Sequence, residues 1–256
     1  MPEEVVKTIK NGAVASVIIN RPEVMNAINP EIDMLMVNTF KQLSSDEDVR
    51  VIILEGAGDH FSVGADMAFL NNGLDVVQWY DGLKNWTGKM IICIASSPQP
   101  VICKVRGNAY GAGMGLALAG DFVVASENSR FCEAFANVGV THDAGLSYFL
   151  PRMVGMAKAK EISLLGNVIN GKDAASMGLI YRAVPEESLD AEVASLSQSL
   201  ARKSLRALSS LKEALDSSLS RDLAAALDWE AAHQAIMLQS KEHKEFVQQF
   251  LKSRKK

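Results

Sequence analysis

Five residues, Gly111-Ala112-Gly113-Met114-Gly115, stand between an apolar β-branched run, Val101–Val105, and a second apolar run, Leu116–Ala119. A glycine-rich turn from strand into helix leaves backbone N–H groups at the helix N-terminus with no acceptor inside the helix. Such amides can hold a phosphate, or a carbonyl oxygen that gains negative charge during a reaction. The spacing argues against the phosphate. A dinucleotide fingerprint runs Gly-x-Gly-x-x-Gly with an acid about 20 residues later, and here the third glycine position is Leu116. No Gly-Lys-Ser/Thr follows, so the turn is not a P-loop. A second turn, Phe61-Ser62-Val63-Gly64-Ala65-Asp66, could supply a second amide. Two amides aimed at one oxygen form an oxyanion hole, in which each donor is worth about 3–4 kcal/mol of transition-state stabilisation. Tight turns and close helix packing would call for the same glycines.

The elements that position these turns follow from periodicity and breakers. Val14–Ile19 and Val51–Leu54 read as strands. Between them, Asn29 is placed to cap a helix with Pro30 in its first turn. Ile32, Leu35, Met36, Phe40 and Leu43 then share one helical face. A second helix is expected over much of Asp75–Ala95, ended by Pro98 and Pro100, which lead into the strand Val101–Val105. Phe122–Ala125 reads as a strand, with a short extended piece near Arg130–Cys132. Helical patterns return at Met156–Leu165 and Lys172–Met177. Beyond about Pro185 the chain is helical only: Leu189, Val193, Leu196 and Leu200 repeat at helical spacing, as do Leu208, Leu211, Leu215 and Leu219, followed by Leu223 and Leu227. A face this long requires a cover, from the preceding domain or from a neighbouring subunit.

The chain has 256 residues, 48% apolar and 22% charged, which suits one large globular domain or one domain with an appendage. A net charge of −4 gives no reason to expect nucleic acid or an anionic membrane as partner. Only the tail Lys252–Lys256 is strongly basic, which reads as a solvated end. Cys93, Cys103 and Cys132 have neither metal spacing nor an even count, so no metal site is expected and a reducing, cytoplasmic compartment fits. No apolar run is long enough to span a bilayer, and Met1–Lys10 lacks the pattern of a signal peptide.

The two turns resemble the paired oxyanion-hole motifs of the enoyl-CoA hydratase/isomerase (crotonase) family, and the likeness covers nearly the whole chain. Arg21-Pro22 followed by Asn26-Ala27-Ile28 resembles an early signature of that family. Phe61 to Asp66 resembles its second motif, and Pro100-Val101-Ile102 running to Gly107 and Gly111-Ala112-Gly113 its third. Gly171-Lys172-Asp173-Ala174 leading to Gly178-Leu179-Ile180 resembles a fourth. The resemblance implies an α/β fold, a spiral of ββα turns with a C-terminal helical region. We expect residues 1–198 to form the spiral core and 199–256 a helical trimerisation region, giving trimers or paired trimers (hexamers). It also implies an acyl-CoA thioester substrate, with coenzyme A part of the substrate and no separate cofactor. Carried over by position, the amides of Val63 and Ala112 would hold the thioester oxygen. The strip Ala65-Asp66-Met67 would meet the adenine of CoA, and Asn26 and Ala27 would lie near the mouth of the CoA site. Arg254 or a neighbouring lysine would contact CoA phosphates.

The chain departs from the hydratases of this family, which place two glutamates around a water. By register those positions are Gly115 and Phe135 here, and Glu133 is two residues out of register with the second. Hydration needs a base and an acid around one water, so its absence is expected. What remains is Asp143, within Val138-Gly139-Val140-Thr141-His142-Asp143-Ala144-Gly145. Read alone, an aspartate before an apolar run is a helix cap or turn residue. By resemblance it falls where ring-epoxide and Δ3,Δ2-enoyl-CoA isomerases carry an aspartate. One carboxylate suffices for isomerisation, because it takes a proton from one carbon and returns it to another. Asp143 is therefore expected in an apolar pocket with a raised pKa. Phe69, Leu70, Trp86, Phe135 and His142 are candidates for the acyl pocket, with core packing the plainer reading of the apolar ones. The alternatives are a hydratase with a rearranged pair such as Glu133 and Asp143, and a catalytically silent acyl-CoA binder. A hydrolytic dehalogenase is disfavoured, because Gly88 and Phe135 stand where those relatives carry histidine and tryptophan.

Overall fold

The chain is seen in a computed structural model that describes residues 4–71 and 73–253. Among the described residues the strands are β1 (Val6–Asn11), β2 (Val14–Ile19), β3 (Val51–Gly56), β4 (Val101–Val105), β5 (Asn108–Tyr110), β6 (Phe122–Ser126), β7 (Arg130–Cys132), β8 (Ile169–Asn170) and β9 (Arg182–Val184). The helices are α1 (Pro30–Ser44), α2 (Met67–Leu70), α3 (Val76–Gly82), α4 (Gly88–Ala95), α5 (Ala112–Leu118), α6 (Leu146–Leu165), α7 (Gly171–Ser176), α8 (Leu189–Ala201), α9 (Leu205–Ser218), α10 (Leu223–Gln239) and α11 (Lys241–Ser253).

The larger sheet has the order β1-β2-β3-β4-β6-β9. Its first pair is antiparallel and the rest are parallel. A smaller sheet, β5-β7-β8, lies beside it. Two successive turns, β4-β5-α5 and β6-β7-α6, each place one strand in the large sheet and one in the small sheet before a helix, and β8-α7-β9 then returns the chain to the large sheet, which makes a spiral. The middle strands are apolar on both faces because both faces are covered. Ile52, Leu54, Val101, Cys103 and Val105 pack with α1, α4 and α5 in the main core. Val51, Ile102 and Val124 pack on the other face against Leu189, Val193 and Leu200 of α8.

Two isolated bridges extend the small-sheet layer toward the first turns of the spiral: Ser62 pairs with Ala109, and Ile28 with Ala65. They bring the two glycine-bearing turns side by side. Ser62 N–H donates to Asn108 O at 3.0 Å and Tyr110 N–H to Ser62 O at 3.0 Å. A Cβ on Gly113 would lie 2.4 Å from Ser62 O, and one on Gly64 would lie 2.6 Å from Tyr110 O. Both positions therefore exclude any side chain at this spacing.

Several elements differ from the sequence reading. On α1, capped by Asn29 Oδ1 accepting from Ile32 N–H at 3.0 Å, Leu35 is exposed and Asp33 is buried in its place. The helical run expected over Asp75–Ala95 is divided by a π-helical turn at Leu83–Thr87. The helical pattern at Met156–Leu165 is the second arm of α6, whose arms meet at Gly155. Residues 198 and 199 both lie within α8, which packs on the sheet, and Ser204 caps the following helix α9. On α9 and α10, Leu211, Leu215, Leu219, Leu223 and Leu227 are exposed.

Candidate active site

The paired turns open onto a cavity of about 60 Å³. Ala65 from the first turn, Ala112 from the second, and Asp143 all line it. The apolar wall includes Ile28, Phe69, Leu70, Trp79, Leu83 and Trp86. Trp86 comes from the π turn and packs against Gly82, where a Cβ would sit 3.2 Å from its ring.

The amides sort themselves by what they already bond. Val63 N–H donates to Met25 O at 3.2 Å, so it is not the free donor expected from position. Ile28 N–H donates to Gly64 O at 2.7 Å and Asp66 N–H to Ile28 O at 2.8 Å, which leaves Ala65 N–H between them. Among the described residues neither the Ala65 nor the Ala112 amide is matched to a backbone carbonyl. Ala112 is the first residue of α5, where helical amides have no internal partner. Ala65 and Ala112 both line the cavity, and Ala65, not Val63, is the residue of the first turn whose amide is left unmatched.

Asp143 is positioned by a strained turn. Ala144 and Gly145 both have positive φ, 47° and 78°, and Leu146 N–H closes back onto Asp143 O at 3.1 Å. This bend rests on α5. A Cβ on Gly115 would lie 2.6 Å from the Ala144 Cβ and 2.4 Å from its carbonyl oxygen. At Gly115, the register position expected for a hydratase's first glutamate, the space a side chain would need is therefore filled by Ala144. Asp143 Oδ1 is buried without a hydrogen-bond partner. Burial pushes the Asp143 carboxyl up to about 6.

Two further carboxylates lie within electrostatic reach of it. Asp33 also lines the cavity, and its Oδ2 accepts the Thr87 hydroxyl at 2.9 Å. Burial first, and repulsion from Asp143, raise it to about 6 against the lowering by Thr87. Glu133 is buried outside the cavity lining, 3.4 Å from His142 Nε2 through Oε1, and Oε2 has no partner. Burial and then Asp143 raise it to about 7.

Other expected positions fall elsewhere. Asn26 is fully buried and spends its side chain on Ala57 O, His60 O and Arg21 N–H; Ala27 is buried and its carbonyl accepts from Arg21. They hold the first turn and present no surface to a ligand. Asp66 caps α2 and takes Arg21 at 2.9 Å, and Met67 is exposed. Phe135 is core, stacked toward His142, which bonds Ser163 Oγ at 3.0 Å; neither lines the cavity. Arg254 lies outside the described residues. Asp33 and Thr87 went unread in the sequence. The one available signal was the helical spacing of Asp33 with Met36, Val37 and Phe40, overridden by the usual preference for acids in a first turn.

Comparison with known proteins adds to this geometry. The profile of a family described as enoyl-CoA hydratase/isomerase matches residues 9–256. A 1,2-epoxyphenylacetyl-CoA isomerase of Escherichia coli K12 is 33% identical over 263 residues, covering 99% of this chain and 97% of that one. A Rhodobacter capsulatus protein named "Probable enoyl-CoA hydratase" is 35% identical over 240 residues, covering 94% and 92%. The crystal structure of an enoyl-CoA hydratase from Bacillus anthracis superposes with a TM-score of 0.93 at 26% identity, covering 98% of this chain and 97% of that one.

Proposed function

The chain belongs to the enoyl-CoA hydratase/isomerase family, and we propose that within it the protein is an acyl-CoA isomerase with Asp143 as its single acid/base. The observation that carries this reading is the cavity that Ala65, Ala112 and Asp143 share. With a 3-enoyl thioester bound, the Asp143 carboxylate takes a proton from C2. The electron pair moves onto the thioester oxygen, where the Ala65 and Ala112 amides hold the dienolate. Asp143 then returns the proton to C4, and the double bond ends between C2 and C3. Nothing is consumed, and no cofactor beyond the CoA ester is required. With a 3,4-epoxide in place of the double bond, the electron pair at C2 would form the C2–C3 double bond as the C3–O bond breaks, and Asp143 would pass its proton to the released oxygen. Loss of one amide donor costs about 10²–10³ in rate.

Hydration is the weaker reading, because Gly115 has no room for a carboxylate and Glu133 lies outside the cavity lining. A silent binder would have no use for a desolvated, unpartnered Asp143 oxygen beside two free amides. The CoA moiety would run past the Ala65-Asp66-Met67 backbone. The exposed leucines of α9 and α10 support assembly into trimers or hexamers. No helix among the described residues is long and apolar enough to cross a membrane, and three free thiols suit the cytoplasm.

The test is exchange of acyl-CoA Cα protons in deuterated water, followed by mass spectrometry, with 3-enoyl and 2-enoyl esters. We expect exchange and double-bond migration, and about a 10²–10⁴-fold loss in Asp143→Asn with ester binding retained. A stable 3-hydroxy product would favour hydration, and equal exchange in the variant would remove Asp143 from the mechanism.

A further inference from the structure

Asp33 has no part in the proton transfer above, yet it lines the same cavity. It stands in the first turn of α1, where an exposed acid would serve the helix dipole equally well, but it is only 4% exposed. Thr87, the last residue of the π turn, fixes it through Oδ2 at 2.9 Å. Its other oxygen, Oδ1, is buried and has no partner among the described residues. A buried carboxylate oxygen without a donor is costly, and a donor carried in by a bound molecule removes that cost. Phe69, Leu74, Leu83 and Trp86 line the same cavity with apolar surface, which would penalise an ammonium far more than a hydroxyl. A cavity of about 60 Å³ suits a slender chain rather than a ring, since benzene occupies apolar cavities of roughly 150 Å³.

On the reading of this site as an acyl-CoA site, we propose that Asp33, held by Thr87, is a specificity-determining residue that accepts a hydrogen bond from a hydroxyl group on the acyl chain. The substrate class is then hydroxylated straight-chain acyl-CoA. Burial raises Asp33 to about 6, so above that pH the carboxylate is ionised and acts only as an acceptor. A site built around such an acceptor discriminates against the analogue that lacks the hydroxyl, because binding the analogue leaves the oxygen buried and unpaired.

The test uses saturated esters, which bind but cannot isomerise. Hexanoyl-CoA and its 4-, 5- and 6-hydroxy counterparts are titrated calorimetrically into the wild type, Asp33→Asn and Asp33→Leu. At least one hydroxy ester should bind about tenfold or more tightly than hexanoyl-CoA in the wild type. That preference should shrink in Asp33→Asn, whose amide oxygen still accepts, and fall to one or below in Asp33→Leu. Should Asp33→Leu fail to fold by circular dichroism, the wild-type ratio and its loss in Asp33→Asn decide. A wild type without preference, or a preference that survives Asp33→Leu, overturns the proposal. If the wild type exchanges Cα protons but shows no hydroxyl preference, this inference alone fails. If it binds no acyl-CoA, the underlying reading fails with it.

Discussion

Asp33, Glu133 and Asp143 are three carboxylates taken out of water in one corner of the molecule, and desolvation is the first cause of the raised pKa in each. Their sign for stability is fixed by that. In the unfolded chain an aspartate titrates near 3.8, whereas in the fold Asp33 and Asp143 titrate near 6 and Glu133 near 7. Between those values the folded state holds protons that the unfolded state has released. The contribution of these three groups to stability is therefore greatest below about pH 4 and falls as pH rises to about 7. Under the proposed mechanism the pH dependence of turnover runs the other way, because only the ionised form of Asp143 would take a proton: kcat/KM for isomerisation should rise through about pH 6 with a single-proton slope. The two requirements oppose each other at one side chain. Asp143→Asn should accordingly be inactive yet more stable than the wild type at about pH 8, by up to about 3 kcal/mol, since a tenfold difference in proton affinity between folded and unfolded chain is worth about 1.4 kcal/mol. The gap should close near pH 4, and urea unfolding at the two pH values checks both ends. A wild-type stability that climbs from pH 4 to pH 7 would contradict the burial of these groups. Asp143 itself was legible from the order of motifs around it. Which amide of the first turn is free was not, because Met25 O claims the Val63 N–H through a residue with φ of 52° that no local pattern announces.

At the scale of elements, the site depends on two turns held edge to edge by the Ser62–Ala109 bridge and on glycines that permit the approach. Gly113 backs onto Ser62 O at a would-be Cβ distance of 2.4 Å, so Gly113→Ala must drive the turns apart. The expected result is a loss of about 1–3 kcal/mol in stability together with about a 10²–10³-fold fall in Cα exchange, as for a misplaced oxyanion donor. Gly139 gives the contrast. Its φ is 75° but nothing lies within 4 Å of a Cβ there, so Gly139→Ala brings strain without collision. That variant should lose about 1–2 kcal/mol and keep its exchange rate. Equal kinetic effects in the two variants would show that turn spacing is not what positions the amides. Strands and helices with clear periodicity, such as β2, β3, β4 and α1, could be read directly. Of the short strands, β7 was readable as an extended piece near Arg130–Cys132, whereas β5 and β8 gave nothing, because two or three residues carry no period and their pairing is set by neighbours distant in sequence. The π turn was hidden for a related reason. Its flanks are helical in pattern, and the extra residue that turns Trp86 and Thr87 toward the cavity leaves no compositional mark.

The molecule buries the middle strands of its large sheet and leaves its last helices half-clothed. Lys212 pins α9 to the body through Ser97 O at 2.8 Å, Gln99 O at 3.1 Å and Asp121 at 2.6 Å. Leu208 reaches the core beneath α8, but Leu215 and Leu219 are each 71% exposed and Leu223 is 75% exposed. Leucines at this spacing would not persist as a solvated face, because contiguous apolar patches on a monomer rarely exceed a few hundred Å². A ring of identical subunits would satisfy them with one surface used repeatedly. The expected outcome in sedimentation velocity at micromolar concentration is therefore a trimer or a hexamer. Replacing Leu215 and Leu219 together by glutamate should shift the mass to that of a monomer. Because both side chains are exposed within a single chain, the double variant should keep its helical signal, with any fall in Tm traceable to lost assembly and thus dependent on protein concentration in the wild type. A wild type that sediments as a monomer, or a double variant with unchanged mass, would leave these leucines without the cover argued for them.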